Sequence, residues 1–132
     1  MASIQKEMTL DAPADRVWAA IRDVGAVHTR LAKQFVVDTR LDGDSRYVTF
    51  ANGEVVRERI VDNDDRARRL SYSVTEWRTT HHNASFQVVP DGHDRCHVVW
   101  ITDLLPNTLV ELVDGFMEQG CVAIRNTLNG SS

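Results

Sequence analysis

Polar and apolar residues alternate along the first stretch of the chain and then change to a helical spacing. Residues 4–10 alternate with a period of two, which predicts a strand. Further on, apolar side chains recur at i, i+3, i+4 and i+7, the pattern of an amphipathic helix: Ala14, Val17, Trp18 and Ile21. We expect Asp11 to cap this helix and Pro13 to lie in its first turn. Residues 23–33 are less periodic and predict a short second helix.

Six further strands are predicted by short segments that are separated by turn residues, with no helix between them. Their ranges are 34–41, 45–51, 54–61, 70–75, 81–89 and 95–104. Three of the gaps between them contain residues that favour turns: Asp42-Gly43-Asp44, Asp62-Asn63-Asp64-Asp65 and Pro90-Asp91-Gly92. Consecutive strands joined in this way favour an antiparallel sheet.

A long helix is predicted for residues 108–129, with Pro106 just before it and Gly130 just after it. At 100° per residue, its apolar side chains fall on one wide face: Leu109, Leu112, Val113, Phe116, Met117, Gly120, Ala123, Ile124 and Thr127. A face of this width indicates that the helix packs against a large apolar surface. The chain is therefore predicted to be a single α+β domain over residues 1–132, a length that suits one hydrophobic core.

Charge and composition narrow the function classes. The net charge of −4 lacks the basic excess that nucleic-acid binding needs, so no nucleic-acid partner is expected. No apolar run is long enough for membrane insertion, and the first residues do not resemble a secretory signal. Cys96 and Cys121 have no CxxC spacing, so we expect reduced thiols in a cytoplasmic protein.

Several segments together resemble a known superfamily. Residues 12–23, APADRVWAAIRD, look like its opening "aPa-x-x-VW-x-x-[IL]-x-D", and further matches are residues 57–60, 70–74, 98–100 and 120–128. On these residues the chain resembles the START-like or SRPBCC superfamily, the polyketide cyclase/dehydrase-like and birch-pollen-allergen-like (Bet v 1-like) group. The resemblance implies a helix-grip fold, in which a curved seven-stranded antiparallel sheet wraps around the C-terminal helix and encloses a cavity. The alternative fold is an NTF2-like cone, in which helices precede most of the sheet.

The alternation of each strand selects the side chains that face the last helix and so predicts the wall of that cavity. The predicted ligand-binding residues are Phe50, Val56, Glu58, Tyr72, His82, Phe86, Val98, Trp100, Thr102, Val113, Phe116, Met117, Gly120 and Ile124. A register shift of one residue would reverse each assignment, so the alternation leaves open whether Glu58 faces the cavity or solvent. It also leaves open whether the aromatic rings line a cavity or form a plain core.

Neither a metal site nor a cofactor is predicted. His81 and His82 are neighbours on a predicted strand and point to opposite faces, and His93 and His97 lie on a turn-to-strand segment. The sequence contains no P-loop, GxGxxG or GxSxG motif.

Three functions agree with these patterns. The first is a carrier or sensor that binds a small hydrophobic metabolite of lipid, polyketide or aromatic type. The second is a polyketide cyclase- or dehydratase-like enzyme, in which Glu58 or His82 acts as the base and Tyr72 as the proton donor. The third is an interaction or assembly protein with a filled core. A cavity-facing Glu58 is expected to have a raised pKa or to pair with a donor such as Tyr72 or His82.

Overall fold

Seven antiparallel strands form one curved sheet in the computed structural model, which describes residues 1–129. The strands are β1 (Ala2–Leu10), β2 (Val36–Asp42), β3 (Ser45–Phe50), β4 (Val55–Asp64), β5 (Arg69–Glu76), β6 (His81–Pro90) and β7 (Cys96–Leu105). Their order across the sheet is β1-β7-β6-β5-β4-β3-β2. All strands from β2 to β7 pair with their neighbours in sequence, and β7 returns to pair with β1 along its whole length. The predicted antiparallel seven-stranded sheet is confirmed.

Two α-helices and two short helical turns complete the described part of the chain. The helix α1 (Ala14–Arg22) follows β1, and a π-helical turn (Val27–Leu31) lies in the segment where a second short helix was predicted. A 3₁₀ turn (Asn107–Leu109) leads into α2 (Val110–Leu128), the long C-terminal helix. Because the longest helix follows the sheet and packs on it, the fold is the helix grip and not the NTF2-like cone. The predicted stop at Gly130 lies outside the described residues.

Burial alternates along the strands as the sequence predicted. On β7 the side chains of Cys96, Val98, Thr102 and Leu104 are buried, and on β6 the side chains of Ala84, Phe86 and Val88 are buried. The face toward α2 also carries buried Val56 and Glu58 of β4 and buried Leu70 and Tyr72 of β5. The predicted orientation of these strands is confirmed, which settles the open question about Glu58: its side chain points inward.

Three local predictions differ from the structure. Asp62 and Asp64 belong to β4, because the ladder between β4 and β5 continues past a register shift after Ile60. The turn begins after Asp64, whose carboxylate accepts hydrogen bonds from the backbone N–H groups of Arg66 and Ala67. Asp11 does not cap α1 through its side chain, since the N-cap position is occupied by Pro13.

The third difference concerns the face that α2 buries. Leu112 was predicted on the apolar face, but its side chain is exposed. The buried face is instead centred on Val113, Met117, Gly120 and Ile124, and it includes Cys121. The covered face of α2 therefore excludes Leu112 and extends to Cys121.

The buried apolar side chains form two clusters around the space between the sheet and α2. The larger cluster lies beneath α1, where Trp18 is buried and donates from Nε1 to Asp65 Oδ1 at 2.9 Å. The smaller cluster joins Ile4, Leu104, Val113 and Met117. Cys96 and Cys121 are buried free thiols. None of the helices within residues 1–129 combines the length and the apolar character that crossing a bilayer requires.

Candidate ligand-binding cavity

A cavity of about 110 Å³ lies between the concave face of the sheet, α2 and the π-helical turn. One water molecule needs about 10–15 Å³, so the space is large enough for a small organic molecule. Of the residues predicted to line it, these form its wall: Phe50, Val56, Glu58, Tyr72, His82, Phe86, Trp100, Thr102, Val113, Phe116, Met117, Gly120 and Ile124. Val98 does not line the cavity; it is fully buried in the larger apolar cluster.

Aromatic rings form much of the wall, and they hold one another in place. The Trp100 and Phe86 rings stack with their centroids 4.6 Å apart, and the Phe86 ring stacks on Tyr72 at 6.2 Å. On the opposite side, Phe116 of α2 contacts Phe50 at 6.2 Å and Trp77 at 5.9 Å between ring centroids. Offset and edge contacts at these separations are favourable, so the rings form a fixed apolar wall.

Gly120 allows α2 to approach this wall closely. A Cβ atom built at this position would lie 2.9 Å from Trp100 Cζ3 and 3.0 Å from Trp100 Cη2. Carbon atoms normally stay about 3.5–4.0 Å apart. The absence of a side chain at Gly120 therefore sets the spacing between the helix and the indole ring.

A buried ion pair is the main polar feature of the cavity. Arg46 on β3 and Glu58 on β4 are directly opposite each other in the ladder and are only 3% and 8% exposed. Arg46 Nε donates to Glu58 Oε1 at 2.8 Å, and Arg46 Nη1 donates to the carbonyl oxygen of Val24 at 3.3 Å. The donor that Glu58 requires is therefore Arg46, which the sequence pattern did not single out.

The aromatic ring of Tyr72 lies next to this pair, with the Arg46 guanidinium carbon 5.3 Å from the ring centre. The Tyr72 hydroxyl oxygen accepts a hydrogen bond from Trp100 Nε1 at 3.2 Å. Burial raises the pKa of Tyr72 well above its usual value, and the negative charge of Glu58 raises it further. Tyr72 is therefore a neutral phenol at physiological pH and a potential hydrogen-bond donor.

His82 is the second titratable group that was predicted from sequence. Burial lowers the pKa of His82 to about 4, and the neighbouring His81 contributes to the shift. Its Nδ1 atom lies 3.2 Å from Thr79 Oγ1, and its ring centroid lies 6.1 Å from that of Trp77. His82 is therefore neutral at physiological pH and lines the cavity as a polar but uncharged group.

Several residues of the wall are not among the predicted ligand-binding residues: Val27, Leu31, Ala32, Phe35, Val36, Arg46, Val48, Glu54, Val74 and Trp77. Alternation identifies three of them, because Arg46 and Val48 share a face with Phe50, and Val74 shares a face with Tyr72. Trp77 lies in a connection between strands, where no period applies. Its Nε1 atom donates to Glu54 Oε2 at 3.1 Å, which joins two loops of the sheet.

Within residues 1–129, no three His, Cys, Asp or Glu side chains come close enough together to hold a metal ion. The cavity wall instead provides hydrogen-bonding groups: a phenol, a neutral imidazole, and the paired guanidinium and carboxylate. Such a wall can orient a ligand through a few directed contacts while apolar burial supplies most of the binding.

The sequence matches one protein family over residues 1–128, the family described as polyketide cyclase / dehydrase and lipid transport. The chain belongs to this family. Its helix-grip fold and the cavity between the sheet and α2 agree with that membership. A comparison with curated protein sequences gave no significant match.

Solved structures of the same fold resemble the polyketide cyclase-like chain over nearly its whole length. An uncharacterised protein from Bacillus thuringiensis has a TM-score of 0.85 at 21% identity, with 95% of this chain and 97% of that chain covered. A START superfamily protein from Mycobacterium smegmatis has a TM-score of 0.80 at 12% identity, with 96% of both chains covered. Norcoclaurine synthase from Thalictrum flavum has a TM-score of 0.72 at 23% identity, with 95% of this chain and 84% of that chain covered.

Proposed function

We propose that this protein binds a small, mostly apolar molecule with an aromatic ring system in the cavity between the sheet and α2. The observation that carries the proposal is a cavity of about 110 Å³ whose wall combines stacked aromatic rings with the buried Arg46–Glu58 pair. Burial of apolar ligand surface against such a wall contributes about 25 cal/mol per Å². The few polar groups orient the ligand but contribute less to the binding free energy than the burial of apolar surface does.

The cavity favours this role over an assembly protein with a filled core, because a filled core leaves no space between the sheet and the helix. The binding role also agrees with the position of Glu58. Its carboxylate oxygen Oε1 is already engaged, because it accepts a hydrogen bond from Arg46 Nε at 2.8 Å.

A second candidate is an enzyme that acts on the same ligand. The observation that favours it is the presence of a neutral imidazole, His82, and a protonated phenol, Tyr72, on one cavity wall. A base and a hydrogen-bond donor in a desolvated site are the groups that a cyclisation or dehydration needs. Norcoclaurine synthase, which shares the fold, was solved in complex with dopamine and hydroxybenzaldehyde, two aromatic compounds.

The binding proposal is tested by titrating the protein with 2-naphthol in a calorimeter. We expect a dissociation constant of about 10–100 μM, which corresponds to about 5–7 kcal/mol for a ligand of this size. Val56→Phe fills part of the cavity and is expected to weaken binding by at least about tenfold.

Val55→Phe is the matched control, because Val55 precedes Val56 on β4 but points away from the cavity and is 52% exposed. We expect it to bind 2-naphthol like the wild-type protein. Far-ultraviolet circular dichroism establishes that both variants are folded. Absence of wild-type binding, or equal binding by both variants, would contradict the proposed site.

A further inference from the structure

The polar groups of the cavity have hydrogen-bonding capacity that no group in the described part of the chain uses. Arg46 donates from Nε to Glu58 and from Nη1 to the Val24 carbonyl, which leaves Nη2 without a partner among residues 1–129. Within the same range, Glu58 Oε2 accepts no hydrogen bond, and the hydroxyl proton of Tyr72 has no acceptor. Arg46, Glu58 and Tyr72 are each more than nine-tenths buried and line the cavity, so a molecule inside the cavity can pair with these atoms.

The charges of the wall are already balanced. The positive charge of Arg46 is paired with the negative charge of Glu58 at 2.8 Å. Glu54, the other acidic residue of the wall, accepts a hydrogen bond from Trp77 and forms an ion pair with Arg78. An anionic ligand would therefore bring an uncompensated negative charge beside Glu58 in a desolvated space, which is strongly unfavourable.

We propose that the cavity selects uncharged aromatic ligands that carry both an acceptor oxygen and a donor hydrogen, such as a hydroxyl or carboxamide group, and that it rejects the corresponding carboxylates. The ligand oxygen accepts from Arg46 Nη2 or the Tyr72 hydroxyl, and the ligand donor binds Glu58 Oε2. This assignment rests on the proposed binding function and adds the chemical class of the ligand. Arg46 and Glu58 act together as the specificity-determining pair.

Three probes of the same ring system test the assignment: naphthalene, 2-naphthamide and 2-naphthoate. The amide and the carboxylate have nearly the same shape and differ in charge and in donor capacity. At pH 7 we expect 2-naphthamide to bind several-fold more tightly than naphthalene and at least about tenfold more tightly than 2-naphthoate. Equal or tighter binding of 2-naphthoate overturns the assignment.

The result for naphthalene distinguishes a failure of the proposed selectivity from a failure of the proposed binding function. If naphthalene binds but 2-naphthoate matches 2-naphthamide, the cavity is a binding site and only the selectivity is wrong. If neither naphthalene nor 2-naphthamide binds, the proposed function fails and the selectivity fails with it. Both outcomes are read from the wild-type protein by the same calorimetric titration.

A variant separates the role of the ion pair from the general difficulty of burying an anion. Glu58→Gln retains an oxygen that can accept from Arg46 Nε but leaves the guanidinium charge uncompensated. The carboxylate of 2-naphthoate can then supply the missing charge, so we expect its affinity relative to 2-naphthamide to rise by at least about tenfold. Glu58→Asp retains the charge and is expected to keep the wild-type preference.

An unchanged preference in folded Glu58→Gln would contradict the proposed role of the pair. Removing one partner of a buried ion pair is destabilising. Circular dichroism with and without 1 equivalent of 2-naphthoate therefore accompanies the titration. If Glu58→Gln does not fold, the comparison of the three probes in the wild-type protein still decides the proposed selectivity.

Discussion

Replacing Gly120 with alanine is a direct test of how closely α2 packs on the cavity wall. The added Cβ would lie 2.9 Å from Trp100 Cζ3 and 3.5 Å from Phe35 Cε2. To restore normal contact, the indole ring or the helix must move by about 0.5–1 Å. Trp100 cannot move freely, because it stacks on Phe86 at 4.6 Å and donates a hydrogen bond to Tyr72 at 3.2 Å.

Two opposing terms determine the effect of this substitution on stability. Alanine has a higher helix propensity than glycine, which favours the variant by about 0.8–1.0 kcal/mol. Overpacking of a close contact costs about 1–3 kcal/mol. We therefore expect Gly120→Ala to lower the free energy of unfolding by about 0–2 kcal/mol despite its better propensity.

Gly115→Ala in the same helix provides the matched control, since a Cβ at Gly115 would meet no atom within 4 Å. The propensity term alone then applies, and we expect this variant to be stabilised by up to about 1 kcal/mol. Urea denaturation of the wild-type protein and both variants measures the difference, which should be about 1–3 kcal/mol between the two alanines. If Gly120→Ala is as stable as Gly115→Ala, Gly120 does not set the distance between α2 and Trp100.

Three further experiments examine the polar groups of the cavity. The pKa of His82 is lowered to about 4 from the usual 6.5, so unfolding takes up a proton between these values. The free energy of unfolding should therefore fall by about 1–3 kcal/mol as the pH falls from 6.5 to 4, and His82→Gln should lack that loss in the same urea titrations. Arg46→Met leaves Glu58 buried without its partner and should cost about 3–5 kcal/mol by urea denaturation, whereas a loss below about 1 kcal/mol would contradict a buried pair. A double-mutant cycle with Trp100→Phe and Tyr72→Phe should give a coupling free energy of about 1 kcal/mol for their hydrogen bond, and additive effects would show that the bond contributes nothing.

Much of the fold could be predicted because local patterns and tertiary structure agree in this chain. The alternation of polar and apolar residues identified the inward face of the strands, and the helical spacing after Pro106 identified α2. The prediction was weaker where burial does not follow a local period. Leu112 is exposed because the position of the helix on the sheet, and not its average apolar direction, decides which side chains are covered.

The candidate site was only partly predictable for a related reason. The position of Arg46 on the inward face follows from its spacing to Val48 and Phe50, yet a charged side chain among apolar residues suggests exposure. Its partner Glu58 is 12 residues away along the chain, and only the register between β3 and β4 brings the two together. Neither that register nor the cavity volume is contained in the local sequence pattern.

The proposed binding of an aromatic ligand between the sheet and α2 is tested most directly by intermolecular nuclear Overhauser effects between 2-naphthol and the methyl groups of the folded protein. We predict contacts to Val56 on the sheet and to Met117 and Ile124 on the helix, all of which line the cavity. Contacts confined to Val61 and Ile101, which line a second pocket formed by β4 to β7, would contradict that binding site.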